Sequence, residues 1–469
     1  MPEDMQTPPT PAELARHLKR HFGFDRFQPG QAEVIGDVLA GRPTLAVMPT
    51  GAGKSLCYQL PGLLLPGPTV VVSPLIALMR DQVAALQARG VAAELLNSTL
   101  SPEAQRGVID RLAAGQIRFV YVAPERFRQA AFVRALERRP PALFAVDEAH
   151  CISQWGHDFR PEYVRLGEVL AELGPERVLA CTATATPDVR ADIVRQLRLV
   201  KPAVHVHGFL RSNLYLEARR CAGEPERLQR LLGFLSGPRG VSAGGAVIVY
   251  ASTRKRVMRY AADLGVALGP GAVTAYHGGL DEAAREEAQT RFMSGQAKIV
   301  VATTAFGMGV DRGDVRAVVH VDLPRNLEGY YQEVGRAGRD GKSAHCLLLH
   351  VAGDTRIHEF LIEQAHPGPD RVALIWRAVK RAGEAGARVP ALAAAAGLDG
   401  DAGVDAVLRL LTRVDAVTVD AAGLVRQHRD APDDLGELGI DFRGVARHET
   451  AERDRLQAMA GYAEGAGCR

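Results

Sequence analysis

Short, almost uninterrupted apolar runs alternate with stretches of helical periodicity along the first half of the chain: TLAVM (44–48), TVVVS (69–73), FVYVA (119–123), LFAVD (143–147) and VLACT (178–182). Runs that do not alternate with polar residues predict strands buried on both faces, hence a parallel sheet covered by helices. A looser stretch, FLRSNLYLEARRCAGEPE (209–226), breaks the rhythm. The pattern then restarts with AVIVY (246–250), VTAYH (273–277), KIVVAT (298–303), RAVVHV (316–321) and CLLLH (345–349). Two tandem α/β domains are predicted, over 1–207 and 208–352.

From about residue 366 the texture becomes rich in Ala, Gly and Arg. Val372, Ile375, Trp376 and Val379 fall at helical spacing, as do Val404, Val407, Leu408 and Leu411. AVTVDAAGLVRQH (416–428) then reads as a short hairpin turning at Asp420 to Gly423. Helices followed by a hairpin fit a small, mostly helical, winged-helix-like module over 366–430, and equally a packing insert with no ligand. The last stretch, ERDRLQAMAGYAEGAGCR (452–469), places Leu456, Met459, Ala460 and Ala463 on one helical face.

Composition narrows the class without naming a partner. A length of 469 residues allows two or three domains, and 47% hydrophobic with 24% charged residues is globular. No apolar stretch is long enough to span a bilayer, and the polar start MPEDMQTPPTPAEL lacks a signal-peptide pattern, so a cytoplasmic location with no membrane partner is expected. Cysteines at 57, 151, 181, 221, 346 and 468 form no close pair, which argues against a disulfide framework. A net charge of +3 is too mild to identify a polyanionic partner, so local motifs must decide.

Between TLAVM and a helical stretch lies PTGAGKSLCYQLP (49–61). Thr50, Gly51, Ala52 and Gly53 form a turn whose backbone N–H groups can cradle phosphates, Lys54 supplies a point charge and Ser55 a hydroxyl for Mg²⁺. The strict pattern G-x-x-x-x-G-K-[ST] fails at its first position, Met48, which makes this a helicase-type variant. Asp147 ends a buried strand, where open α/β sheets place their ligands, and would hold Mg²⁺ with Ser55. Glu148 would orient and deprotonate an attacking water. In YYQEVGRAGRDG (330–341), Gln332, Arg336 and Arg339 share one face if the segment is helical, and an arginine there could stabilise charge on a transferring phosphoryl group.

Taken in order, these motifs resemble superfamily 2 helicases, most closely the RecQ family of DNA helicases, over residues 14 to about 352. VSPLIALMRDQV (72–83), YVAPER (121–126), DEAH (147–150), TATAT (182–186), YHGGL (276–280), VVATTAFGMGVDRGDVR (300–316) and QEVGRAGRDG (332–341) carry the resemblance. It implies two RecA-like domains that use ATP and Mg²⁺ to move along single-stranded DNA with 3′→5′ polarity. It also implies unwinding of forked duplexes in DNA repair and recombination, and a nucleoid-associated location. FGFDRFQPGQAEVI (22–35) resembles the adenine-recognition motif, which implies that Phe24 stacks on the base and Gln31 bonds its edge, with Asp311 a further nucleotide contact. Gln28 stands where the family usually has Arg, and Ala52 replaces a glycine of the phosphate loop. The alternative reading is a nucleic-acid-dependent ATPase acting on RNA or translocating without strand separation.

SQWGHDFRP (153–161) resembles the family's aromatic-rich loop, which implies that Trp155, Phe159 and Arg160, with His157, sense single-stranded DNA and signal to Glu148. Stacking on such rings is worth about 1–3 kcal/mol per base whatever the sequence. Ile152, Trp155 and Phe159 would also fit one face of a helix in the core. Ser73, Asn97, Ser98 and Thr303 at strand ends, and the cluster Arg254, Lys255, Arg256 and Arg259, are further candidate DNA contacts. The chain is expected to act as a monomer. The segment 433–469 resembles the start of a zinc-binding subdomain in which Cys468 would be the first of four ligands. The expectation is a piece of a longer parent protein, with zinc bound only in that parent.

Overall fold

Each apolar run of the first half becomes a strand, and two further strands join them at the edges. The computed structural model describes residues 9–465 apart from 154–159, 209–210, 241–243, 270, 308–311, 399 and 421. Its first sheet comprises β1 (Thr44–Val47), β2 (Thr69–Val72), β3 (Ala93–Leu96), β4 (Phe119–Val122), β5 (Leu143–Val146), β6 (Val178–Thr182) and β7 (Ala203–Val206). All pair in parallel, in the order β3-β4-β2-β5-β6-β1-β7. Successive residues of a strand feed opposite faces: Leu45, Val47, Val70 and Val72 enter one apolar core, while Ala46, Met48, Val71 and Tyr121 enter the other. The edge strands β3 and β7 are partly exposed and carry polar residues, so a search for continuous apolar runs passes over them.

The second sheet repeats the plan with β8 (Leu214–Arg220), β9 (Ala246–Tyr250), β10 (Val273–Tyr276), β11 (Ile299–Ala302), β12 (Val315–His320) and β13 (Ala344–His350). Its order is β10-β11-β9-β12-β13-β8, again parallel throughout. Consecutive strands joined by covering helices give two RecA-like lobes. Both sheets fall within one compact unit that includes residues up to Asp322 and Glu328–His350.

The other unit comprises Leu323–Leu327 and residues from Val351 onward. Here the helix Thr355–Ala365 packs against the long helix Phe442–Glu464. Between them in sequence come the helix Pro369–Ala382, β14 (Ala387–Arg388), the helices Val389–Ala395 and Val404–Arg413, and the hairpin of β15 (Val417–Val419) and β16 (Leu424–Gln427). These elements form a mostly helical module with a small antiparallel sheet of order β14-β16-β15. Val372, Ile375, Trp376, Val379, Val404, Val407, Leu408 and Leu411 form its core. The Asp420 carboxylate accepts from Ala422 N and Leu424 N, closing the hairpin turn where the sequence places it.

Candidate functional site

The carboxyl ends of β1, β5 and β6 lie side by side, because β6 pairs with both of its neighbours. Beyond β1 the chain turns through Gly51 and Gly53, whose φ angles of 86° and 67° are left-handed, and enters the helix Leu56–Leu64. A side chain at Gly53 would meet Gln31 Nε2 at 2.6 Å. Lys54 Nζ folds back to donate to Met48 O at 3.4 Å, so its charge lies over the loop.

Gln31 is buried, and its side chain bonds protein at both ends. Its Nε2 donates to Ala52 O at 2.9 Å and Gly53 O at 3.1 Å, while its Oε1 accepts from Gln28 N at 2.8 Å. The side chain thus splints the adenine-type motif to the phosphate loop. Because Gln28 takes part through its backbone, this bond does not depend on whether that residue is Gln or Arg. Phe24 is 54% exposed.

Asp147 is 5% exposed, and its backbone N–H donates to Val72 O at 2.8 Å. Burial, then the neighbouring Glu148 carboxylate, push its carboxyl up to about 7 against the opposing pull of Lys54 and His150. Glu148 has φ 47°, a left-handed conformation that costs a non-glycine residue about 1–3 kcal/mol. That backbone brings Oε2 to 3.3 Å from His150 Nδ1. The same nitrogen lies 2.9 Å from Thr182 Oγ1, whose hydroxyl donates to Thr184 O at 3.1 Å. With its proton committed to Thr184, Thr182 accepts from a protonated Nδ1. The TATAT segment and the DEAH segment are therefore joined by hydrogen bonds through His150 and Thr182, two roles not assigned from sequence although both residues stand in quoted motifs.

The aromatic candidates Trp155, His157 and Phe159 lie outside the described residues, as do Asp311 and Cys468. The flanks of the aromatic segment are firmly held. Ser153 Oγ donates to Asp192 Oδ2 at 2.7 Å, and Tyr163 OH donates to Asp147 O at 3.2 Å. Arg160 Nη1 donates to Pro74 O at 2.9 Å, which ties it to the VSPLIALMRDQV segment.

The second lobe requires a correction. The helix carrying Gln332 is Leu327–Val334, and residues 335–340 run in turns, so Gln332, Arg336 and Arg339 do not share one helical face. Gly338 adopts φ 59°, and carbonyls that would continue the helix are captured by other donors. Arg211 does most of this. Its Nη1 donates to Gly335 O at 3.4 Å, and its Nη2 to Ala337 O at 3.1 Å and Gly338 O at 2.8 Å. Arg336 turns inward, is 9% exposed and donates to Gly307 O. Arg339 lies beside the phosphate loop, its Cγ 3.8 Å from where a Gly51 side chain would begin.

The DNA-contact candidates also divide. Ser73 and Asn97 are buried, and the Asn97 Oδ1 accepts from Thr99 N at 3.0 Å and Thr99 Oγ1 at 2.9 Å, stabilising its own turn rather than facing solvent. Ser98 is exposed and Thr303 half-buried. Within the basic cluster, Arg254 and Lys255 are exposed, but Arg256 bonds Asp322 Oδ2 at 3.0 Å and Glu224 Oε2 at 2.8 Å. Arg256 is a structural ion-pair residue of the second lobe.

Two domain descriptions match the chain in succession: DEAD/DEAH box helicase over residues 28–193 and helicase conserved C-terminal domain over 224–341. Together with the paired parallel sheets and the strand-end site, they define a superfamily 2 helicase core. The chain is 39% identical over 373 residues to the probable ATP-dependent DNA helicase RecS of Bacillus subtilis, covering 79% of this chain and 74% of that protein. It is 42% identical over 352 residues to the ATP-dependent DNA helicase RecQ of the same organism, covering 74% of this chain and 58% of RecQ. The chain belongs to the RecQ family of helicases. It spans only a little over half the length of the RecQ proteins it matches. The fold is also that of Mycobacterium smegmatis helicase Lhr solved with single-stranded DNA and AMP-PNP, at TM-score 0.56 and 19% identity, covering 89% of this chain and 60% of that one.

Proposed function

We propose that this chain is an ATP-dependent DNA helicase, coupling ATP hydrolysis to movement along single-stranded DNA and separation of duplex strands. The observation that carries this reading is the meeting of Lys54, Asp147 and Glu148 at one sheet edge, with Arg339 of the other lobe beside Gly51. In this reading the turn at 50–55 holds the phosphates, Lys54 binds the transferring group, Glu148 takes the proton from water and Arg339 offsets developing charge. A divalent cation fits the site. Asp147 is a carboxylate whose ionisation burial opposes, and a cation there would restore it. Ser55 and Asp147 would hold Mg²⁺, which supplies charge neutralisation to the phosphate oxygens.

The bonds that hold the C-terminal flank of 154–159, from Tyr163 OH to Asp147 O and from Arg160 to Pro74 O, support coupling of hydrolysis to DNA occupancy. The family names favour DNA as substrate: both quoted Bacillus relatives are named as DNA helicases. No helix among the described residues is long and apolar enough to cross a membrane. The test is strand displacement on forked DNA with ATP, against a non-hydrolysable analogue and against an RNA duplex. Unwinding of DNA alone, and only with hydrolysable ATP, is expected. Displacement of RNA at an equal rate, or unwinding without hydrolysis, would overturn the reading.

A further inference from the structure

Arg211 lies in the loose stretch between the lobes that sequence reasoning passed over, just before β8. Among the described residues its guanidinium makes five hydrogen bonds, and their distribution is informative. Nε donates to Asn213 Oδ1 at 3.2 Å, and three bonds reach the carbonyls of Gly335, Ala337 and Gly338 in the turns that carry Arg336 and Arg339. The remaining one, from Nη1 to Thr50 O at 3.1 Å, crosses to the phosphate loop of the first lobe. Asn213 adds support from the same side, with Nδ2 donating to Gly338 O and Lys342 O, both at 2.9 Å.

Close packing reinforces the bridge. A side chain at Gly51 would lie 3.0 Å from Arg211 Nη1, and one at Gly335 would lie 3.0 Å from Thr50 Cβ. The guanidinium spreads its donors over three nitrogens in a fixed planar fork that meets carbonyls on both segments in one geometry, and a lysine ammonium, with its donors on one atom, does not reproduce that fork.

We infer that Arg211 is a positioning residue for hydrolysis: it fixes the Arg339-bearing turn against Thr50 of the phosphate loop, without itself touching the nucleotide. The inference deepens the helicase reading and rests on it for the kinetic part only. Because Arg211 acts through the turn, its loss lowers turnover rather than nucleotide affinity. A misplacement of about 1 Å in such a site costs up to roughly a hundredfold in rate.

The experiment compares Arg211→Ala, Arg211→Lys, Arg339→Ala and the double variant Arg211→Ala/Arg339→Ala in DNA-stimulated ATP hydrolysis. Arg211→Ala should lower kcat by roughly ten- to a hundredfold with KM within about threefold of wild type. Arg211→Lys should recover little, and the double variant should be no slower than Arg339→Ala alone. Multiplying losses in the double variant, or a change confined to KM, would overturn the inference. Amide hydrogen exchange across 335–342 needs no turnover: Arg211→Ala should speed it about tenfold while β9 to β13 stay protected. Unchanged exchange there sinks the positioning role whether or not the protein unwinds DNA. Absence of DNA-stimulated hydrolysis in the wild type, with the exchange effect present, would instead count against the helicase reading.

Discussion

The two sides of the nucleotide site are built by different means. In the first lobe, Asp147 and the phosphate loop extend directly from strands whose register is fixed on both sides, so the sheet itself sets their positions. In the second lobe, Arg336 and Arg339 sit on turns after a helix has ended, and side-chain donors from distant segments hold the backbone. One side is rigid by secondary structure, the other by a few replaceable hydrogen bonds. The adjustable part of the site is therefore the arginine-bearing turn, and substitutions should separate chemistry from scaffold more cleanly there than along the strands.

The largest expected effect tests the rigid side. Lys54→Ala should reduce ATP hydrolysis by on the order of 10³ or more, with single-stranded DNA affinity within about twofold. Turnover near wild type would remove Lys54 from the site. Glu148→Gln should lower kcat by about 10³ while nucleotide affinity persists, since only the proton acceptor is lost. A weakened affinity at normal maximal rate would assign Glu148 to binding instead.

On the adjustable side, Arg339→Ala and Arg336→Ala should differ in kind. Arg339→Ala is expected to cost about a hundredfold in kcat with an unchanged melting temperature. Arg336→Ala leaves the Gly307 carbonyl without its buried donor and should cost about 1–3 kcal/mol of stability. Equal melting temperatures and equal kinetics for the two variants would erase the distinction. The smallest effect belongs to the relay between DEAH and TATAT. Thr182→Val removes the acceptor for His150 Nδ1 and should slow hydrolysis by about fivefold to tenfold, the worth of one hydrogen bond. A loss as large as that of Glu148→Gln would mean that Thr182 touches the reacting groups.

The same contrast explains what could be read from sequence. Asp147 was legible because an apolar run ending in an acid places that acid at a sheet edge, and Trp376 was legible because helical spacing marks a core position. Ser73 and Asn97 also follow strands, yet both are buried and Asn97 is engaged in its own turn, which the apolar pattern does not reveal. The sequence left open whether 335–340 is helical, because its carbonyls are claimed by Arg211, 124 to 127 residues away in sequence, and no local window contains that donor. Arg211 itself had no motif around it to draw notice.

The backbone at Glu148 has a consequence for how this protein tolerates change. A residue held at φ 47° in the middle of the catalytic edge is a built-in liability to folding, one that glycine would relieve. Glycine there would discard the carboxylate that faces His150. On the role proposed for Glu148, stability and turnover pull in opposite directions at a single position. Attempts to make the chain more heat-resistant by screening for survival alone would drift toward catalytically silent variants at residue 148, and such screens need an activity gate to keep the helicase working.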